Sequence, residues 1–315
     1  MALHIGTTGY SYNYWGGENG RGFYKTKKAN LQEYTAHFQS VALRARPSVE
    51  IGNTYYKRPT RKQCENWYKS TPAGFCFTIK AERRITHYRK LNPAVVKEWV
   101  PEFLKAIEPL KEKLGCIFFL CPPNFSCKLE HIQRIALLKS LIGSAEPTIK
   151  CAFEFRHDSW YLGKSQNPES MEAAELKRVF SGNFCMITVF NRVIKDHKLG
   201  NFGIGNHIYK GPSGDFQYYR LHGLEHFCIG TYGYDNMEKL AKTIQFEISQ
   251  GKQVFVYFNN TDSWEPYNTQ QVAKNPCLVV NELYPLAMYG IAMTTGYHIP
   301  SAIFDATVLQ SFFSF

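Results

Sequence analysis

No C-x-x-C pair occurs among the nine cysteines of this 315-residue sequence. Cys76, Cys116, Cys151 and Cys185 each sit inside an apolar run. They read as small buried hydrophobes, which argues against a disulfide framework or a zinc knuckle. That usage suits a reducing compartment, and a cytoplasmic location is expected. No apolar stretch approaches the roughly 20 residues of a membrane-spanning helix, so no membrane partner is expected. Met1 leads into Leu3–Ile5 and Gly6 without a basic segment ahead of a long apolar one, so no signal peptide is expected. The first strand-like run turns at GTTGYSY. It lacks the G-x-G-x-x-G fingerprint of an open dinucleotide-binding sheet. No H-E-x-x-H spacing marks a local metal site.

What is present is a globular composition, 44% hydrophobic with 20% charged residues. Lys and Arg outnumber Asp and Glu by 37 to 26, a formal charge of +11. A surplus of that size favours acidic partners, either anionic small molecules or nucleic acid. Eight short runs rich in Val, Ile, Phe and Tyr recur along the chain: LHIGTTGY, SVEIGNTYY, GFCFTIKAE, CIFFLCPP, CAFEFRHD, FCMITVFN, QYYRLHG and QVFVYFNN. The gaps between most of them carry helical spacing. Leu31, Tyr34 and Phe38 share one face, as do Ile132, Ile135, Leu138 and Ile142. A longer helix is expected after Pro93, through Val96, Trp99, Phe103, Ile107, Leu110 and Leu114. Asn167-Pro168 is expected to open another. Asp235 to Glu238 resembles a capping box, with Gly251 closing that helix. Eight strand–helix units predict an α/β fold, a single-domain (β/α)8 TIM-like barrel over residues 1–280. Residues 191–215, rich in Gly, Asn and Lys, read as a long loop in place of the sixth helix. Residues 281–315 read as a C-terminal tail without a clear period.

In such barrels the C-terminal strand ends build the site. Strand 2 carries Glu50, strand 3 Lys80 with His87 in the following loop, and strand 5 Glu154 and Arg156. Strand 7 carries Arg220 and His222, and strand 8 ends in Asn259 and Asn260. Residues two apart on a strand share a face, so Glu154 with Arg156 and Arg220 with His222 point the same way. So many ionisable groups on inward positions cost several kcal/mol each unless paired or used. They predict a shared polar pocket. Glu50 or Glu154 is the candidate general base and His222 the partner acid. Lys80, Arg156 and Arg220 are candidate anion clamps. Tyr56, His87, Asn259 and Asn260 would orient a substrate. Glu50, Glu154, His157, Asp158 and His222 are also of metal-ligand type, so a divalent metal is a candidate cofactor with no ligand set assigned. A second cluster, Lys57, Arg58, Arg61, Lys62, Arg83, Arg84, Arg89 and Lys90, is interleaved with Tyr55, Tyr56, Trp67 and Tyr88. That pattern suits a nucleic-acid strand.

The ordered segments IGTTGYSYNYWGG, VEIGNTYYKRP, GFCFTIKAERRITH, PLKEKLGCIFFLCPPNF, FEFRHDSWY, YYRLHG and VYFNN resemble the YecE-like family, the domain of unknown function numbered 72, from about Ile5 to Asn260. The resemblance implies a TIM barrel without an established activity. It also implies a loose kinship of fold to sugar isomerases and to a metal-dependent endonuclease of abasic DNA. It maps family motif positions onto Glu50, Asn53, Tyr56, Lys80, His87, Glu154, Arg156, Trp160, Arg220, His222, Asn259 and Asn260. Three departures stand out. Leu120-Cys121 precedes Pro122 where family members usually show Gln, which removes a polar group from the expected pocket. Ala42 to Ser48 reads as an insertion or a gene-model artefact. The tail has no clear counterpart.

Overall fold

The chain is represented by a computed structural model, which describes residues 3–12, 15–16, 23–25, 28–41, 45–161, 167–190, 211–223, 230–261 and 301–313. Among these residues nine strands form one parallel sheet: β1 (Leu3–Thr8), β2 (Arg46–Ile51), β3 (Cys76–Lys80), β4 (Leu114–Cys121), β5 (Lys150–Phe155), β6 (Phe184–Met186), β7 (Thr188–Phe190), β8 (Phe216–Leu221) and β9 (Gln253–Phe258). Their order is β6-β5-β4-β3-β2-β1-β9-β8-β7. β6 pairs with β5, and β7 pairs with β8. Only Ile187 separates β6 from β7, and its N–H donates to the Phe153 carbonyl at 2.8 Å. β6 and β7 are thus two halves of one stave, and the sheet curls into a nearly closed (β/α)8-type barrel. All eight apolar runs are strands, the sixth in two pieces.

The strands are apolar on both faces because both are covered. Cys116 and Phe118 of β4, Ala152 of β5, Phe216 and Tyr218 of β8, and Phe255 and Tyr257 of β9 fill the barrel interior. The residues between them, such as Ile117, Phe119, Phe153, Tyr219 and Val256, pack outward against the helices. Gly6 allows the closest approach between staves. A Cβ there would lie 1.8 Å from the Ser48 carbonyl oxygen, so no side chain fits without backbone movement.

Among the described residues seven helices surround the sheet: α1 (Leu31–Val41), α2 (Arg61–Lys69), α3 (Pro93–Ile107), α4 (Leu129–Ala145), α5 (Met171–Val179), α6 (Gly233–Ser249) and α7 (Ser301–Ser311). Local chemistry sets several starts. Thr60 and Gln63 form a capping box on α2, and Asn92 caps α3 with Pro93 at its first position. Ser170 caps α5, so this helix begins later than Asn167-Pro168, which instead forms a turn closed by Ser170 N–H on the Asn167 carbonyl. α3 ends at Ile107, because Glu108-Pro109 opens a separate 3-10 turn, and Leu114 already belongs to β4.

Two of the chain's odd segments are described in part. Arg46, Pro47 and Ser48 belong to β2. They are strand residues, paired with His4, Ile5 and Gly6 of β1; residues 42–44 lie outside the described residues. The tail ends in α7, which packs on α6, β1, β9 and α1 where a barrel's eighth helix belongs. Residues 262–300, and residues 191–210 of the expected long loop, lie outside the described residues. The last part of that loop runs beside β6, with Gly214 N–H donating to the Phe184 carbonyl.

α7 also supplies the cap of α6. The expected box at Asp235 to Glu238 does not form, and the N-cap residue Tyr232 makes no side-chain cap. Buried Asp305 accepts instead from Thr231 Oγ1 at 2.6 Å, Tyr232 N at 2.9 Å and Gly233 N at 3.3 Å. The carboxylate lies where a helix N-terminus favours negative charge. Asp305→Ala removes the cap and strands buried donors. The expected loss is roughly 2–4 kcal/mol, the sum of a cap and one buried unmatched group. Urea unfolding of the variant against wild type measures it, and an unchanged midpoint contradicts this role.

Candidate active site at the strand ends

Alternation along each strand puts the last inward positions at one mouth: Thr8 on β1, Glu50 on β2, Lys80 on β3, Glu154 on β5 and Arg220 on β8. Arg220, 2% exposed, is the centre of this layer. Its Nε donates to Glu50 Oε2 at 3.1 Å, and its Nη2 donates to Glu50 Oε1 at 2.9 Å. Its Nη1 donates to Glu154 Oε2 at 2.5 Å, and Nη2 also reaches Thr8 Oγ1 at 3.4 Å. Tyr218, two residues earlier on the same face, donates to Glu50 Oε2 at 2.6 Å. The Arg220 guanidinium lies 4.6 Å above the Phe118 ring, which forms the floor. Two fully buried carboxylates are thus bridged by one buried cation. The arrangement is stable only because each charge is matched and bonded.

Two further cations lie nearer the solvent. Arg156 Nε is 2.9 Å from Glu154 Oε1, with a fifth of its side chain exposed. Lys80 Nζ stands 4.5 Å from the Tyr55 ring centre and 5.1 Å from that of Phe118. No carboxylate of the described residues lies within ion-pair distance of it. Burial and the charge of Arg220 lower the Lys80 amine to about 8, against the opposing pull of Glu50 and Glu154. Burial alone would raise the Glu154 carboxyl, but Arg156, Arg220 and His222 hold it well below the usual carboxylate range.

His222 follows β8, its Nε2 3.8 Å from Glu154 Oε2. Asn259 Nδ2 donates to its Nδ1 at 2.8 Å, so the remaining ring proton sits on Nε2, facing Glu154. Burial depresses this imidazole to about 4, only partly offset by Glu154, and it is neutral at physiological pH. His87 lies in a π-helical turn, Arg84–Tyr88, with its ring 5.2 Å from Tyr55. Burial and the nearby Lys80, Arg156 and Arg83 lower it to about 4 as well. That turn is followed by Lys90 and Leu91, both at positive φ (45° and 54°) without being glycine. Such conformations cost about 1–3 kcal/mol each and persist where the surroundings enforce them.

The structure therefore brings Glu50, Lys80, His87, Glu154, Arg156, Arg220, His222 and Asn259 to one mouth. It does not bring Asn260 there. That amide donates to the Gly230 carbonyl at 2.9 Å and to Asp305 at 2.7 Å, tying β9 to α7. Tyr56 is 70% exposed, its ring against Tyr55 and under Arg83. Trp160 is buried in the outer layer, stacked on Phe155, with its indole N–H on the Phe125 carbonyl. His157 accepts from Ser159 N and helps close a 3-10 turn after β5. Two of the eight residues of the basic cluster are ion-paired: Arg58 with Glu82 and Glu102, and Arg61 with Glu108.

Among the described residues no group of three or more His, Cys, Asp and Glu side chains is set to hold a metal ion. The donor set argues the same way, because Arg220 and Tyr218 already occupy the Glu50 oxygens. A divalent cation would have to displace the buried guanidinium, so the residues present do not fit a metal bridging Glu50 and Glu154.

The sequence model described as "Protein of unknown function DUF72" matches residues 4–276. The chain belongs to that family. A curated relative by sequence, the UPF0759 protein YunF of Bacillus subtilis, is 32% identical over 166 residues. That match covers 50% of this chain and 52% of the relative, so it spans about half the relative's length. Among solved structures, a DUF72 family protein of Enterococcus faecalis V583 aligns with a TM-score of 0.66 at 18% identity, over 99% of this chain and 96% of that one. A DUF72 family protein of Thermotoga maritima aligns with a TM-score of 0.55 at 20% identity, over 82% and 92%. At these identities the structures carry the fold alone, and DUF72 membership names no reaction. No helix of the described residues is long and apolar enough to cross a membrane. Among those residues Cys64, Cys76, Cys116, Cys121, Cys127 and Cys151 are free.

Sequence reading missed Tyr218 and Phe118, and named Tyr55 only among the aromatics of the basic cluster. The first two share the inward parity of Arg220 and Lys80 and were open to the same alternation argument. It also missed that His222 and His226 stand four apart; His226 lies outside the described residues. Leu120, beside Glu154 in register, takes the inward place where family members usually carry Gln.

Proposed function

We propose that this protein is an enzyme that acts on a small anionic substrate, phosphorylated or carboxylated, held at the C-terminal strand ends by Lys80 and Arg156. One observation carries this reading. Arg220 is held by two buried carboxylates, so it braces the pocket and leaves the contact role to the outer cations. Five charged groups share this layer: Glu50, Glu154, Lys80, Arg156 and Arg220. Their formal sum is one positive charge, and the ammonium without a carboxylate partner is at the open side. An anion entering there meets a cation already partly dehydrated, which strengthens the contact. Glu154, ionised, is the candidate base, and Lys80 is the group able to hold or release a proton near neutral pH. His222, neutral, serves to orient Glu154 more than to donate a proton.

Calorimetric titration with inorganic phosphate tests this. Wild type should bind with a dissociation constant on the order of millimolar or tighter, and Lys80→Met should weaken binding by about tenfold or more, the scale of one charge-assisted contact. Lys80→Arg should retain most of it. Absence of phosphate or carboxylate binding to the wild type overturns the proposal.

One observation favours a second reading. Arg83 lies 5.2 Å from the Tyr56 ring and 5.4 Å from the Tyr88 ring, and both tyrosines are more than half exposed. An exposed aromatic–guanidinium ladder suits stacking of a nucleobase. This reading expects single-strand binding that falls steeply with salt and drops on Tyr56→Ala and Tyr88→Ala together.

A further inference from the structure

We propose that Lys80 is a covalent nucleophile: its amine condenses with an aldehyde or keto carbonyl carried by the anionic substrate, forming a protonated imine. This deepens the anion-binding reading and rests on it for the substrate's charge. The argument begins with geometry. Lys80 ends β3, so its stem is fixed by the sheet while its Nζ reaches the mouth. The amine rests on two aromatic faces, Tyr55 and Phe118, and the described residues give it neither a hydrogen bond nor a salt bridge. A lysine that serves only to balance charge would be expected on Glu50 or Glu154. Those carboxylates are instead taken by Arg220 and Arg156. A guanidinium does not deprotonate in proteins, so the lysine is the one cation type in this layer able to release a proton.

The charged groups around Lys80 pull in opposite senses, and burial tips the balance. Arg220 and Arg156 disfavour its ammonium form, Glu50 and Glu154 favour it, and burial disfavours it most. His87 on the neighbouring turn is neutral and adds no charge. The free amine is thus accessible near neutral pH, as covalent lysine chemistry requires.

The step balances without an added oxidant or reductant. The nitrogen lone pair forms a bond to the carbonyl carbon, the C=O π pair moves to oxygen, and the amine proton follows it to give a carbinolamine. Loss of that hydroxyl as water, with one proton taken from solvent, leaves the C=N bond with nitrogen still carrying its second proton. Held as an iminium, the nitrogen withdraws electrons from the adjacent carbon. That permits a C–H or C–C bond next to the former carbonyl to break, with ionised Glu154 as the nearby acceptor for a proton.

The test is reductive trapping on the full-length protein. Glyoxylate, pyruvate and glycolaldehyde phosphate are each incubated with protein and sodium borohydride, with neutral glyceraldehyde alongside. Intact mass and peptide mapping then locate the secondary amine. At pH about 7.5 an amine titrating near 8 carries on the order of a hundredfold more free base than an ordinary lysine. Labelling should therefore concentrate on Lys80, be competed by phosphate, and rise with pH through about 8 rather than above 10. Lys80→Arg should remove the site-specific adduct while still binding phosphate, which shows that the variant is folded. Adducts scattered over surface lysines, in a protein that binds phosphate at this mouth, would overturn the nucleophile and leave the anion reading standing. Preferential labelling of Lys80 by glyceraldehyde, without phosphate binding, would support the nucleophile and remove the anion reading.

Discussion

Arg220→Met is expected to lower stability by about 3–5 kcal/mol, because it leaves two buried carboxylates without their shared cation. For a chain of this size that is a fall in melting temperature on the order of 10 °C. The loss should arise from the stranded charges and not from the missing side-chain volume, since methionine fills most of that space. Adding Glu50→Gln and Glu154→Gln to Arg220→Met should therefore recover a large part of it. Thermal melts of the single and triple variants make the comparison. The single variant should also lose phosphate binding, because Lys80 would turn to the freed carboxylates. A single variant as stable as wild type would show that Arg220 does not brace the mouth.

The second large effect is acid destabilisation. His4, 2% exposed and stacked on Phe255, is lowered from 6.5 to about 3 by burial, aided by Arg46 and Lys150. His222 is lowered from 6.5 to about 4. Both folded-state values lie below the unfolded ones. Between pH 6.5 and 4 the unfolded chain therefore binds protons that the folded chain refuses, and stability falls as pH falls. Each histidine contributes roughly 3 kcal/mol across that window. Asp305 works in the opposite direction. Burial raises it from 3.8 to about 7, so its contribution is full below the unfolded value and is lost as pH rises toward 7. Glu154, held low, adds a further loss only below 4.5, as its folded-state value is approached. Urea midpoints should drop from about pH 7 to about pH 4.5, with His4→Gln and His222→Gln each shallowing the slope by close to one proton. A slope unchanged in both variants would mean that neither imidazole is buried neutral.

Much of this site could be read before any coordinates. Period-two alternation sends Glu50, Glu154 and Arg220 inward, and the parallel arrangement sends them to the same end, so their convergence follows from local pattern plus fold. What local pattern does not carry is the assignment of partners. Arg220 has the residue type of an anion clamp, yet its guanidinium bonds to carboxylates 170 and 66 positions away. Asn260 has the type of a substrate ligand and the position of a strand end, but its amide is bonded to Asp305, 45 residues on. Asp305 itself was hidden because α7 is buried nearly all round, with Ala302, Ile303, Ala306, Val308 and Leu309 joined by buried Asp305, Thr307 and Gln310. A helix enclosed on every side shows no amphipathic stripe, so the usual signal is missing. In the basic loops, likewise, Arg58 and Arg61 find acidic partners, Glu82, Glu102 and Glu108, that come from elsewhere in the chain.

A crystal soaked in selenate, with data collected at the selenium edge, tests the central claim most directly. The account places the anomalous peak at the barrel mouth, within hydrogen-bond reach of Lys80 Nζ and the Arg156 guanidinium, with Arg220 still between Glu50 and Glu154. A peak only on the outer arginines of the β2 and β3 loops, or none at all, would contradict it.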